Sequence, residues 1–494
     1  MAEKYLLGID IGSSSVKVAL LDSATGKPAG SAFSPSSEMP MLSPAPGFAE
    51  QDPEMWWNEL IHALDLLQKK TGYDKNDFAA IGISYQMHGL VCVDKQMNPV
   101  RPSIIWCDSR AVETGNKALN AMGEEYCLHH LLNSPGNFTA SKLRWVMENE
   151  PEVYESIHMI MLPGDYIALK LTGEPATTIS GLSEGILWDY RQNDASEALL
   201  NHFQIDRKLL APLVPTFGHQ GIVTKEAAEA LNLRSGIPVS YRAGDQPNNA
   251  WSLNVLRPGE IAATAGTSGV VYGISDKPVY DEQSRVNAFV HVNHQAADPR
   301  YGVLMCINGT GSLNSWLRRT FFDTLDYVQM NELAASVAAG ADGLLFYPFG
   351  NGAERILTNR DPGAGIRGLQ FNQHGRGHIA RAAQEGIVYA FNYGMNIMKA
   401  MGMELKTIRA GYANMFLSDI FSTVLANTSG CTIELYNTDG AVGAARAAGL
   451  GAGIFKSAEE SFHGMEKIRV IEPTSNLAGI YTSAYEKWAE HMPK

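Results

Sequence analysis

Two stretches with one shared pattern constrain the fold of this chain more than any other feature. Residues 5–22, YLLGIDIGSSSVKVALLD, run from an apolar segment (Leu6, Leu7, Gly8, Ile9) through Asp10 to a small-residue turn (Gly12, Ser13, Ser14, Ser15), then into a second β-branched segment. Residues 261–271, IAATAGTSGVV, repeat that logic around Gly266, Thr267 and Ser268. Runs of this length bounded by Gly and Ser read as the two strands of a hairpin. A tight turn of small residues lets backbone N–H groups approach a phosphate, and a carboxylate beside it can hold Mg²⁺ through water. The first stretch is equally compatible with an ordinary hairpin and a solvated Asp. Neither stretch is a GxxxxGK[ST] loop, and no GxGxxG opens a helix.

Composition narrows the class. At 494 residues two domains are expected, and 45% hydrophobic with 18% charged residues describes a globular chain with a large core. No run approaches the roughly 20 apolar residues of a membrane helix. MAEKYLLGID lacks a charged leader followed by a cleavage site, so a cytoplasmic location is expected. Five scattered cysteines without CxxC spacing point to reduced thiols. A net charge of −13 argues against nucleic acid as a partner without forbidding a small anionic substrate.

Along the first half, residues 30–50 are rich in Ser, Pro and Met and read as an irregular connection. Asp52 then caps a helix over 53–70, with Pro53 at its first position. The strands 79–84 and 90–93 flank Gln86, Met87, His88 and Gly89, a polar cluster where side chains leave a sheet end. The His88 ring N–H and the Gln86 amide suit the hydroxyls of a polyol, although a satisfied turn histidine fits as well. A further strand ends in Trp106, Asp108 and Arg110, which are compatible with a polyol pocket, with core packing of Trp106, or with a local Asp–Arg pair. Thr139 or Ser141 is expected to cap a helix, and 177–188 reads as a loop bordering a site.

The strand 237–241 runs into Arg242, Ala243, Gly244, Asp245 and Gln246. A hydroxyl to be phosphorylated needs a carboxylate to accept its proton, and Asp245 has that chemistry; it would serve equally as a helix N-cap. Residues 344–355 read as a strand and polar loop in which Glu354 and Arg355 form a structural ion pair. The helix following His378 is chiefly a core helix. A small-residue helix over 438–448 is expected to pack tightly.

The series GIDIGSSSVKV, QDPEMWW, GISYQMHGLV, IIWCDSR, FTASKLRWV, LPGDYIALKLTGE, AGDQPNNA and AGTSGVVY resembles, in this order and over nearly the whole chain, the FGGY carbohydrate kinases. That family has the α/β, two-domain actin-like (ribonuclease-H-like) ATPase fold. By the resemblance Asp10 would organise Mg²⁺ and phosphate, and Asp245 would be the base. Met87 and His88 would contact the sugar, with Gln86, Trp106, Asp108 and Gln246 beside them. Gly12, Ser13, Ser14 and Lys17 would meet the nucleotide from one side. Gly266, Thr267, Ser268, Gly311 and Trp316 would meet it from the other, with Ala413, Asn414, Met415 and Ser418 at its base. There the sequence departs from the family, because ANMF replaces a glycine-rich loop. Asn414 tolerates the left-handed conformation and can hydrogen-bond a base.

The resemblance implies an N-terminal domain over 1–245, a C-terminal domain over 246–455 and a tail over 456–494 that packs back as a helix, with ligands in the cleft between domains. QMHG and IIWCDSR most resemble the family's xylulose-phosphorylating members. The implied activity is ATP-dependent phosphorylation of a ketopentose, D-xylulose to D-xylulose 5-phosphate. The rivals are another family substrate, such as ribulose, glycerol or a different polyol, and a non-catalytic sugar or nucleotide sensor. The partners expected are a small sugar and ATP, with a homodimer allowed and no nucleic acid or membrane.

Overall fold

The computed structural model describes residues 4–352 and 354–493, so Ala353 of the 344–355 loop lies outside the described residues. The chain forms two compact units. One comprises the chain up to Asn254 with Phe289–Arg300 and Thr438–Met465, and the other comprises Val255–Ala288, Tyr301–Asn437 and the chain from Glu466.

In the first unit, Tyr5–Ile11 and Val16–Asp22 pair antiparallel, with Asp10 opposite Lys17. Pro28–Ser34 extends this meander beside Val16–Asp22. The strand replaces part of the irregular connection expected over 30–50. It is an edge strand of small and polar residues, so it carries little of the apolar alternation by which strands are read. On the other side Phe78–Tyr85 pairs parallel to Tyr5–Ile11, and Val239–Gly244 pairs parallel to Phe78–Tyr85. Leu7, Ile9 and Ile11 face a core that includes Trp56, Leu60, Leu64 and Leu67 of the helix Pro53–Thr71. Leu6, Ala19 and Leu21 face the opposite way, onto Ala441, Ala445 and Ala448 of the helix Gly440–Gly451. The strands are therefore buried on both faces, which explains their nearly continuous apolar character. Asp52 caps the first of these helices by accepting from the Glu54 N–H, a contact worth about 1 kcal/mol.

The second unit repeats the arrangement. Gly259–Ala265, Gly269–Ser275 and Tyr301–Ile307 form an antiparallel meander. Leu405–Gly411 and Thr432–Tyr436 add in parallel on the other side of Gly259–Ala265. Lys467–Ile471 closes that edge antiparallel. The helix Arg376–Ala400 is buried along most of its length, as its spacing predicted. The C-terminal helix Ser475–Glu490 packs against it and buries Trp488, whose indole donates to the Phe346 carbonyl.

Two local expectations are corrected. The helix Thr139–Asn149 begins after Phe138 without a side-chain cap, because Thr139 and Ser141 direct their hydroxyls to the carbonyls of Gly89 and Pro135. Within 177–188 a short helix, Ile179–Glu184, is capped by Thr178. Among the described residues no helix is long and apolar enough to cross a membrane.

Candidate active site

Three parallel strands bring the polar candidates of the first unit together. Tyr5–Ile11, Phe78–Tyr85 and Val239–Gly244 finish in register, with Ile11 and Gly244 both opposite Tyr85. Asp10, the segment from Gln86 to His88 and Asp245 thus emerge at one carboxyl edge, where open α/β sheets bind ligands. Asp245 is the first residue of the helix Asp245–Ser252, and Gly244 takes the cap position, so its carboxylate is not used as a cap. Burial, then the charge of Asp10, pushes the Asp245 carboxyl up to about 7, against the pull of Gln246 and nearby backbone N–H groups. Burial raises Asp10 as well, with Asp439 adding to the shift while Ser84 and Lys17 oppose it. Two carboxyls whose charges resist each other are a common acid–base arrangement.

Asp439 caps the helix Gly440–Gly451 by accepting from Val442 N–H at 3.0 Å, and it pairs with Lys17 at 2.5 Å. Lys17 is therefore committed to a carboxylate beside the first hairpin turn. A Cβ at Gly440 would lie 2.5 Å from Asp10 Oδ2, so only glycine lets this helix approach the acid so closely. In the turn, the Ser13 carbonyl accepts from Gln51 Nε2 at 2.7 Å and the Ser14 carbonyl from Met39 N–H at 2.8 Å. A trans peptide points its N–H opposite its carbonyl, so these bonds fix the directions of the Ser14 and Ser15 N–H groups. Gly12 N–H is spent inside the turn, donating to the Ser15 carbonyl.

The sugar candidates divide. Met87 is buried, and a Cβ on Gly244 would collide with both Met87 and the Glu184 carboxylate, which places all three beside Asp245. His88 has φ 61. Its Nδ1 lies 2.9 Å from the Glu184 carbonyl, which accepts only if Nδ1 carries the proton. The ring N–H expected to serve a polyol is thus used within the protein. The ring packs against Phe138 and Phe289, with centroids 4.8 and 5.4 Å away. Gln86 donates to Gln51 Oε1 while its own Oε1 is buried without a partner, and Gln246 Oε1 is likewise buried and unpartnered. Trp106 is no core residue. It lies beyond the two-residue strand Ser103–Ile104, 48% exposed, with its indole 3.3 Å from Ser13 Oγ. Asp108 goes elsewhere: fully buried, it holds Arg110 at 2.7 Å and accepts from Ala49 N–H at 2.6 Å. Arg110 also meets Glu50 and stacks over Phe48, so Asp108 forms the local ion pair that was one of its two readings.

In the second unit the Gly266 and Thr267 carbonyls accept from the N–H groups of Gly311 and Ser312, at 2.9 and 3.0 Å. The first turn of the helix Gly311–Phe321 therefore aims the Thr267 and Ser268 N–H groups, as Gln51 and Met39 do for the other hairpin. Trp316 on this helix is 43% exposed. Asn414 has φ 54 and lies with its amide 3.6 Å from where a Gly266 Cβ would stand. Ala413 and Asn414 are exposed and Met415 is buried. Ser418 caps Asp419–Ser429 and donates to Gln384 at 2.6 Å, a structural commitment. Glu354 does not pair with Arg355. It accepts from Asn308 N–H at 2.9 Å, while Arg355 donates to Asn287 Oδ1 at 2.6 Å.

Two residues, Glu184 and Lys142, carry no role in the sequence reading, and a third, Glu354, carries a different one. Glu184 is an acid in an otherwise small and apolar run. Lys142 falls on the buried Thr139, Leu143, Val146 face of its helix, so a cation at an apolar position was the available signal. Glu354 was seen but given the wrong partner.

Comparison with known proteins agrees with this geometry. Residues 5–250 match the N-terminal domain, and residues 261–452 the C-terminal domain, of the FGGY family of carbohydrate kinases. A xylulose kinase of Staphylococcus epidermidis is 30% identical over 98% of this chain and 96% of its own length. The xylulose kinase of Escherichia coli K12 is 30% identical over 92% and 91%. The crystal structure of xylulose kinase from Rhodospirillum rubrum superposes with a TM-score of 0.87 at 26% identity, covering 99% of this chain and 98% of the other.

Proposed function

The chain belongs to the FGGY family of carbohydrate kinases, with its actin-like ATPase fold, and on that premise we propose that it transfers the terminal phosphoryl group of ATP to a ketopentose, D-xylulose, at its terminal hydroxyl. The observation that carries the mechanism is Asp245 at the carboxyl edge of the sheet, its carboxyl lifted to about 7 beside Asp10, Met87 and Glu184. A base with that affinity holds a proton weakly enough to be ionised at neutral pH and strongly enough to take one from an alcohol as the P–O bond forms. Asp245 accepts the hydroxyl proton, the hydroxyl oxygen bonds to the phosphorus, and the bond to the ADP oxygen breaks. The oriented N–H groups of Ser14 and Ser15 in the first unit suit phosphate oxygens, and so, taken by themselves, do those of Thr267 and Ser268 in the second.

Asp10 is the residue proposed to hold Mg²⁺, through water. Its surroundings fit: the charges of Asp439 and Lys17 reach Asp10, Lys17 is already engaged by Asp439, and Asp10 in turn raises Asp245. Among the described residues no three His, Cys, Asp or Glu side chains form a metal-ligand set; Mg²⁺ in phosphoryl-transfer sites is commonly held by one or two carboxylates, water and phosphate. Mg²⁺ there supplies neutralisation of charge on the transferred group.

The choice of D-xylulose rests on relatives of that name and on the QMHG segment. ADP release measured with D-xylulose, D-ribulose, glycerol and gluconate tests it. D-Xylulose is expected to give the highest kcat/KM; a higher value with another acceptor reassigns the substrate, and no sugar-dependent release with any of them removes the kinase reading.

A further inference from the structure

We infer that Glu184 and Lys142 are positioning residues whose side chains hold the His88 backbone in its left-handed conformation, with Nδ1 against the Glu184 carbonyl, so that the sugar meets a preset imidazole. The inference about the sugar rests on the reading of His88 as part of the ketose site.

His88 occupies a backbone region that residues bearing a Cβ seldom adopt, and such strain persists only where the surroundings over-determine it. Here its backbone N–H, its carbonyl and its Nδ1 are engaged by these two partners. Its backbone N–H donates to Glu184 Oε1 at 3.3 Å. Its Nδ1 faces the Glu184 carbonyl at 2.9 Å. Its own carbonyl accepts from Lys142 Nζ at 2.8 Å. Lys142 also donates to the Ile105 carbonyl at 2.9 Å, tying the His88 turn to the segment that carries Trp106. Glu184 reaches further, because its other carboxylate oxygen lies over Gly244, next to Asp245.

Both side chains are nearly inaccessible, at 1% for Glu184 and 0% for Lys142. Burial pushes the Lys142 ammonium down to about 7 and drives the Glu184 carboxyl well above its usual range, with the charge of Asp245 adding to the latter. Burying two ionisable groups this deeply gains little for folding, and apolar replacements of buried charges are often neutral or stabilising. A role in holding His88 explains why they stand there. A neutral acid is mimicked by an amide, which gives the inference a discriminating variant in Glu184→Gln.

The test compares full-length wild type with Lys142→Met, Glu184→Ala and Glu184→Gln. Each is checked for folding by its thermal midpoint, then measured for KM with D-xylulose, KM with ATP and kcat, and its His88 ring is observed by ¹⁵N NMR. The expected result is a rise in the sugar KM of about ten-fold or more for Lys142→Met and Glu184→Ala, with the ATP KM within about two-fold. Glu184→Gln is expected to return the sugar KM to within about three-fold of wild type. The ring should be the Nδ1–H tautomer in wild type, and its ¹⁵N shifts should move in Lys142→Met and Glu184→Ala as the turn relaxes and carries Nδ1 away from the Glu184 carbonyl, which both variants retain. Folded variants with an unchanged sugar KM, or with both KM values raised alike, overturn the inference. So do His88 ring shifts that are unaltered in both Lys142→Met and Glu184→Ala. If wild type phosphorylates no sugar, the functional reading fails while the NMR comparison still decides whether these residues hold His88.

Discussion

Burial and the neighbouring charge of Asp10 together lift the Asp245 carboxyl to about 7, some three units above an ordinary aspartate. The two acids come from strands that are not adjacent in sequence but end at the same edge of one sheet. Their coupling sets the conditions under which the site can work.

The first consequence is a pH profile. Asp245 must be ionised to accept a proton, so kcat/KM for the sugar should be level above about pH 7 and fall about ten-fold per unit below it. Initial rates between pH 5 and 9 measure this, and a profile flat down to pH 5 would mean that Asp245 is not the base.

The second consequence concerns stability. The folded-state value of Asp245 lies above the unfolded one, so between about pH 4 and 7 the folded chain holds more protons, and stability declines as pH rises through that window. Asp245→Asn removes the burden. It should abolish turnover yet raise stability at pH 8 by about 1–4 kcal/mol, with the gain shrinking towards pH 4. Thermal denaturation at several pH values checks it; a variant less stable than wild type at pH 8 would contradict the electrostatic account of the site.

In the second unit, Glu354 supports the turn that precedes Gly311. Burial raises its carboxyl to about 7, and it takes up the N–H groups of Asn308 and Gly309. Glu354→Leu leaves those donors without an acceptor, at about 1–3 kcal/mol each, and slackens the helix start that aims the Gly266–Thr267 turn. The ATP KM should rise while the sugar KM stays near wild type, as steady-state kinetics with each substrate varied would show.

Asn414 occupies the left-handed region, which glycine adopts without strain. Asn414→Gly should keep the ATP KM within a few-fold, since glycine adopts φ 54 freely. Asn414→Val forces a β-branched residue into that conformation, at a cost of about 1–2 kcal/mol, and should raise the ATP KM. Equal ATP affinities for the two variants would show that this loop does not shape the nucleotide site.

Much of this was legible in the primary structure. Both hairpins, the Asp52 cap and the Arg376–Ala400 core helix follow from local pattern, because strand period and capping chemistry act over a few residues. The candidate acids were visible for the same reason, each standing where an apolar run meets glycine. What escaped depends on partners distant in the chain. Asp108 looked like a sugar ligand until Arg110, Glu50 and Ala49 enclosed it. His88 looked like a donor to the sugar until the Glu184 carbonyl, far along the chain, accepted the hydrogen bond of its Nδ1–H. Pro28–Ser34 is a strand only because Val16–Asp22 offers it an edge.

The central claim is that Asp245 is the base of a sugar kinase, and a single comparison tests it most directly. Wild type and Asp245→Asn are incubated with ATP, Mg²⁺ and D-xylulose, and the sugar phosphate is followed by ³¹P NMR. The account predicts D-xylulose 5-phosphate accumulating with wild type, and a rate lower by about 10³-fold or more with folded Asp245→Asn. Comparable rates from the two proteins, or no sugar phosphate from wild type, would contradict it.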